Sequence, residues 1–231
     1  MDAFPFHVTV IRTSRKRSAS IRLADGKVTL RVPDTLSDKQ IKDLILKKMR
    51  WIKQKLKTLS ARPTPKQYAS GERFAYLGKQ YTLKRINGPV PSIKLTHGCF
   101  EATVRESAGN SKAIIRSLLI DWYQSHAEKY LIDKTQRFAK QIGVTPHSIT
   151  VKHYKSRWGS CSVHGDIAYN WQIILAPHWI VDYVVVHELC HILEHNHSSH
   201  YWKHVERYSP NWRECRQWLT NNSNNLDAVN G

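Results

Sequence analysis

His187 and His191 stand four residues apart, with Glu188 beside the first, in the run Val184-Val185-Val186-His187-Glu188-Leu189-Cys190-His191. On a helix that spacing puts both imidazoles on one face, one turn apart. Two rings so placed can bind one zinc ion, and the adjacent carboxylate can reach a water on the metal. A catalytic zinc takes three protein ligands and keeps one position for water, so a third ligand is required. His197 follows His191 by six residues, just past the expected helix end. Asn196 before it can take the left-handed conformation that stops a helix. His195 is the rival third ligand, but it continues the helical face of His187 and His191. Three ligands in a row on a straight helix cannot close tetrahedrally on one ion, which favours His197.

The stretch that carries the pair is apolar throughout: Ile180, Val181, Tyr183, Val184, Val185, Val186, Leu189, Ile192 and Leu193. Histidines in such a setting need a reason to be there. Cys190 lies between the two and reads as a small core filler rather than a ligand. Pro177 opens the helix, as proline does well in a first turn. Ahead of it, Ile149, Val151 and His153 alternate as a strand. Arg157-Trp158-Gly159-Ser160-Cys161-Ser162 leads toward a turn at His164-Gly165-Asp166, and Ile167 to Ile174 reads as a second strand. A hairpin directly before the helix is a place where an extended peptide can add as a further strand. Ser198 caps a following helix with Tyr201, Trp202 and Val205; Pro210 stops it, and a last helix holds Trp212, Cys215, Trp218 and Leu219. A long helical pattern covers Ser111 to Gln141, closed by Gly143.

The first part of the chain reads differently. Val8 and Val10 suggest a strand, followed by the basic run Arg15-Lys16-Arg17. Two more strands, Ser20-Ile21-Arg22-Leu23 and Val28-Thr29-Leu30-Arg31-Val32, flank an Asp25-Gly26 hairpin signal. Ser37 can cap a helix with Ile41, Leu44, Ile45, Ile52, Leu56 and Leu59 on one face and Lys42, Lys47, Arg50, Lys53 and Lys57 elsewhere. Short β-like runs at Phe74–Leu77, Gln80–Leu83, Ile93–Leu95 and Phe100–Val104 come next.

The 231 residues carry a net charge of +18, and residues 1–66 hold 17 basic against 5 acidic residues, a net of +12. Residues 143–231 hold 7 of each. The basic surface belongs to the N-terminal part, and it attracts polyanions, nucleic acid among them, without a motif that reads sequence. No stretch approaches a membrane span and the first residues lack the pattern of a secretory leader, so a cytoplasmic protein is expected. Cys99, Cys161, Cys190 and Cys215 form no CxxC pair and read as reduced thiols.

Lys155-Ser156-Arg157-Trp158-Gly159-Ser160-Cys161, then Pro177 with Asp182 to His191, then Asn196-His197-Ser198 with Tyr201-Trp202, resemble the YgjP-like metallopeptidase family, a group of zincins related to SprT-like proteases. The resemblance implies ligands at His187, His191 and His197 and Glu188 as general base. It also implies an α+β fold in which a small zincin core, a hairpin plus the HExxH helix and C-terminal helices, follows a β-containing region with a basic helix. The expected division is 1–110 for the β-rich basic region and 111–231 for the metallopeptidase domain.

The leading function is therefore a zinc metallopeptidase acting on a protein or peptide. A metal-dependent hydrolase of an anionic small molecule such as a nucleotide is a second reading, and a basic nucleic-acid-binding protein with a structural zinc is a third. Glu188 and a count of three protein ligands speak for an open, catalytic site over a structural one. His200, His204, Tyr208 and Arg157 are available donors to an oxyanion, and spacing does not choose among them.

Overall fold

A computed structural model describes residues 4–14, 18–24, 27–60, 65–105, 109–223 and 226. Among the described residues there are five helices and three small sheets, an α+β architecture. The chain forms two compact units, Met1–Thr64 and Pro65–Gly231. No helix among the described residues is long and apolar enough to cross a membrane.

In the N-terminal unit, β1 (Val8–Thr13), β2 (Ser20–Ala24) and β3 (Lys27–Pro33) form a sheet in the order β1-β3-β2, with β1 parallel and β2 antiparallel to β3. Helix α1 (Asp38–Ser60) starts at the expected cap: the Gln40 amide donates to Ser37 Oγ, and the Ser37 amide donates to Gln40 Oε1. Its Ile41, Ile45 and Ile52 are buried with Val28, Leu30 and Val32 of β3 in one core. Lys42, Lys47, Arg50 and Lys53 are exposed, a solvated face over an apolar stripe. Arg12 ties sheet to helix by donating to the Asp34 and Leu36 carbonyls and pairing with Asp38. The Arg15-Lys16-Arg17 run, the Asp25-Gly26 turn and the side chains of Lys57 and Leu59 lie outside the described residues.

The C-terminal unit begins with β4 (Arg73–Tyr76), β5 (Lys79–Asn87), β6 (Ser92–Thr96) and β7 (Cys99–Val104), in the order β4-β5-β7-β6. Helix α2 (Ser111–Ile142) lays Ile115, Leu119, Tyr123, Ala127, Leu131, Thr135 and Ala139 along one buried row at four-residue spacing. Gly143 ends it in the left-handed conformation, as expected. The compact units divide at 64/65 and not at the expected 110/111, because Phe74, Leu83 and Phe100 of the sheet share one core with Leu119 and Tyr123 of α2.

A second sheet holds β8 (Ser148–Lys152), β9 (Gly159–Cys161) and β10 (Asp166–Asn170) in the order β8-β10-β9. Strands β8 and β10 are neighbours but run parallel, and the hairpin before the helix is β9–β10. Strand β10 is shorter than the strand expected at 167–174. Asn170 ends it by accepting the Gln172 amide, and Trp171–Leu175 forms a 3-10 turn. A short, continuously apolar run does not distinguish strand from helix by period, and the cap decides it. Helices α3 (His178–Leu193), α4 (Ser199–Tyr208) and α5 (Trp212–Asn222) follow. The β4–β5 turn seats the start of α3: the Leu77 amide donates to the Ile174 carbonyl, and Gly78, at φ +79°, packs on Pro177. A Cβ at 78 would lie 2.8 Å from Pro177 Cα, so both the backbone and the contact require glycine there.

Tyr123 joins α2 to β4 by donating to the Ala75 carbonyl at 2.7 Å. Tyr123→Phe is expected to lower the unfolding free energy by about 0.5–1.5 kcal/mol, the net value of one intramolecular hydrogen bond, read from urea denaturation with an unchanged m-value.

Candidate metal centre

Helix α3 is buried on nearly every side, through Ile180, Val181, Tyr183, Val184, Val185, Val186, Leu189 and Cys190. His187 and His191 are half-buried on the remaining face. The helix ends at Leu193, where Glu194 turns extended at φ −148°. Asn196 is not left-handed, contrary to expectation; the extended Glu194 does the turning instead. The chain then reverses and Ser198 caps α4 by accepting the Tyr201 amide at 3.2 Å. This turn brings His197 back to α3.

His187, His191 and His197 each offer a ring nitrogen within 4.8 Å of the others. His187 Nε2 and His197 Nε2 are 3.3 Å apart. Two nitrogens bound to one tetrahedral zinc at about 2.0–2.1 Å each are separated by about 3.3 Å, so the donor set fits such an ion. Second partners set the rings. His191 Nδ1 lies 3.2 Å from the Glu194 carbonyl, which directs Nε2 toward the cluster. Tyr201 donates to the His187 carbonyl at 2.9 Å and stacks on His191, ring centroids 4.5 Å apart. The exposed His197 ring stacks on Trp202, which stacks on Trp212 at 4.1 Å with the Arg216 guanidinium 4.9 Å from the Trp202 ring.

Burial, with the neighbouring rings, pushes His187 down to about 3 and lowers His191, and burial with the Arg216 charge lowers His197. Each shift favours the neutral ring, the form that binds metal. Glu188, 5% exposed, lies against β9 at Gly159. Burial raises its carboxyl to about 8, against a smaller opposing pull from Arg157. The carboxyl fits only because residue 159 lacks a side chain: a Cβ there would lie 2.5 Å from Glu188 Oε1.

His195 and His200 are exposed, and His195, His200, His204 and Tyr208 stand outside the three-histidine cluster. Cys190 is buried, its thiol pushed up to about 12 by burial, and all four cysteines are free. Tyr201, Trp202, Arg216 and Gly159 were not singled out from spacing. They meet the histidines and Glu188 through tertiary packing, for which the family stretches at Lys155–Cys161 and Tyr201-Trp202 held the signal, with none for Arg216.

A family model described as YgjP-like, metallopeptidase domain, matches residues 17–222. The chain belongs to this family. Membership supports a metal-dependent peptidase, with the three-histidine cluster compatible with the metal. No curated protein matches the chain. Among solved structures, the metallopeptidase zymogen abylysin of Pyrococcus abyssi is similar at 21% identity and a TM-score of 0.36, over 39% of this chain and 92% of that one. That likeness adds nothing to the family match.

In this YgjP-like chain, Gly159→Ala is expected to cost about 1–3 kcal/mol, as overpacking does, because an added Cβ would meet the buried Glu188 side chain, which must shift to admit it. Ser156→Ala on the exposed loop beside it should stay within about 0.5 kcal/mol. Denaturation of the two variants side by side gives the difference.

Proposed function

We propose that the chain is a zinc-dependent peptidase in which His187, His191 and His197 hold the metal and Glu188 is the general base. The observation that carries the reading is the convergence of three imidazoles, two with Nε2 atoms 3.3 Å apart, with a buried carboxyl on the helix that bears His187 and His191. Three nitrogen ligands suit zinc and leave a position open. When bound, such an ion polarises a carbonyl and acidifies a water molecule.

The remaining steps fall to the chain's own residues. Glu188 accepts the proton of the attacking water and returns it to the leaving amine. Burial alone keeps its carboxyl protonated near neutrality, and positive charge at the histidine cluster favours the carboxylate a base requires. Strand β9 is an edge strand that passes Glu188 at Gly159, and an extended peptide adding to it brings a backbone carbonyl toward the site. Residues 111–231 carry this chemistry, with the β4–β7 sheet as their support.

Glu188→Gln keeps the side chain's size but cannot accept a proton at neutral pH. Hydrolysis of casein by the zinc-loaded variant is expected to fall by about 10²–10⁴-fold with metal content unchanged. His197→Ala should lose stoichiometric zinc. Unchanged hydrolysis in Glu188→Gln would remove the mechanism, and full zinc in His197→Ala would remove that ligand. A panel of nucleoside triphosphates run alongside separates the peptidase from a nucleotide hydrolase.

We also propose that the basic N-terminal unit binds polyanions without sequence preference, on the exposed Lys42, Lys47, Arg50 and Lys53 of α1 and the +12 of residues 1–66. Binding of duplex DNA to the full chain should weaken steeply between low and physiological salt. Absence of binding at low salt would leave the charge as a solubility feature.

A further inference from the structure

We infer that the cavity formed by the 153–158 loop is a subsite for a carboxylate of the peptide being cleaved, either an acidic side chain or a free C-terminus. This deepens the peptidase reading and rests on it. The cavity measures about 300 Å³ and is lined by His153, Tyr154, Lys155 and Arg157 of the loop, with Asn170 and Gln172 from β10 and the turn after it. That volume is at the small end for ligand sites, a size for one side chain or chain end rather than a large cofactor. Among the described residues that line it, none is acidic.

The loop has a fixed shape. Asn170, 2% exposed, donates its backbone amide to the Trp158 carbonyl at 2.8 Å. Its side-chain amide donates to the Tyr154 carbonyl at 3.0 Å and the Arg157 carbonyl at 3.4 Å. Tyr154 OH and Ser160 Oγ share a hydrogen bond of 2.8 Å, which ties the loop to β9. One buried amide side chain thus holds two of the loop carbonyls, and a loop pinned in this way presents its cations at constant positions. Lys152 Nζ and Arg157 Cζ lie 5.2 and 5.7 Å from the Tyr154 ring centroid. Among the described residues, neither Lys155 nor Arg157 is in an ion pair. The cations therefore keep their hydrogen-bonding capacity for an incoming anion, and charge-assisted bonds from arginine or lysine to a carboxylate are the strong kind.

Position makes the anion part of a peptide substrate. The loop runs directly into β9, where Gly159 touches Glu188. Arg157 precedes Gly159 by two residues, about 7 Å of extended chain. A peptide lying along β9 with its reacting carbonyl beside Glu188 has a side chain or terminus within that reach of the cavity.

The test uses zinc-loaded protein carrying Glu188→Gln and four fluorescent pentapeptides: central Glu or central Gln, each as the free acid and the C-terminal amide. Anisotropy titration is expected to show at least about tenfold tighter binding of a carboxylate-bearing peptide than of the neutral amide, and the four peptides distinguish side chain from terminus. Lys155→Glu added to this background should bring the preference to about one. Lys94→Glu, the same charge change on the exposed face of β6, should leave it within about twofold. Equal binding of acidic and neutral peptides overturns the subsite. So does an equal loss in both lysine variants, which assigns the effect to net charge, or displacement by ATP at concentrations where the acidic peptide does not compete. A preference that vanishes with Lys155→Glu supports the subsite even when the wild-type protein cleaves no peptide. That second result would strike the peptidase reading alone.

Discussion

Glu188 keeps a carboxyl group at 5% exposure against the backbone of an edge strand, and much of the C-terminal unit is arranged to make that placement tolerable. Burying an ionisable group in its charged form is costly, and the neutral form that burial favours still needs a space of its own size between closely positioned neighbours. The tight positioning comes from β9. Gly159 pairs with Tyr169 of β10, and the Asn170 amide fixes the residue before Gly159 through the Trp158 carbonyl. Strand β10 is anchored in turn, because Thr135 of α2 donates to Tyr169 OH at 3.1 Å in the core. A carboxyl on one helix thus depends on a hydroxyl on another, with a three-stranded sheet between them.

The histidines answer to a different constraint. An exposed imidazole is free to rotate, and His197 is exposed where the other two are half-buried. Its ring is held by aromatic stacking: Trp202 beneath it, Trp212 beneath Trp202, and Arg216 against the indole stack. Helix α4 therefore contributes orientation through Tyr201 and Trp202 while supplying no member of the histidine cluster. Flat, stacked side chains have few rotamers to lose, so they hold a surface ring at small entropic cost.

What could be read from the sequence follows the range of the interaction. Ser37, Ser198 and Gly143 mark helix ends by chemistry within a few residues, and each does so in the fold. The HExxH spacing and the later histidine predict a cluster because helical geometry is local, and the three rings do converge. Asn170 was hidden inside an apolar run that reads as one strand, although its side chain ends β10. The parallel pairing of β8 with β10 and the shared core of the four-stranded sheet with α2 depend on contacts between distant segments. Gly159 lay inside the family stretch, but nothing in its neighbours says that a glutamate some thirty residues later fills the space above it.

The same difference in range sets an order of assembly. His187 and His197 are ten residues apart, so bringing the three rings together closes a short loop with little configurational entropy to lose. Seating Glu188 on Gly159 instead requires the sheet, α2 and α3 to have found one another. In the proposed arrangement, the 187–197 segment can therefore gather its three rings while a partly unfolded chain still leaves Glu188 without its setting. The donor set and the base would then answer to different parts of the fold, one local and one requiring the whole C-terminal unit.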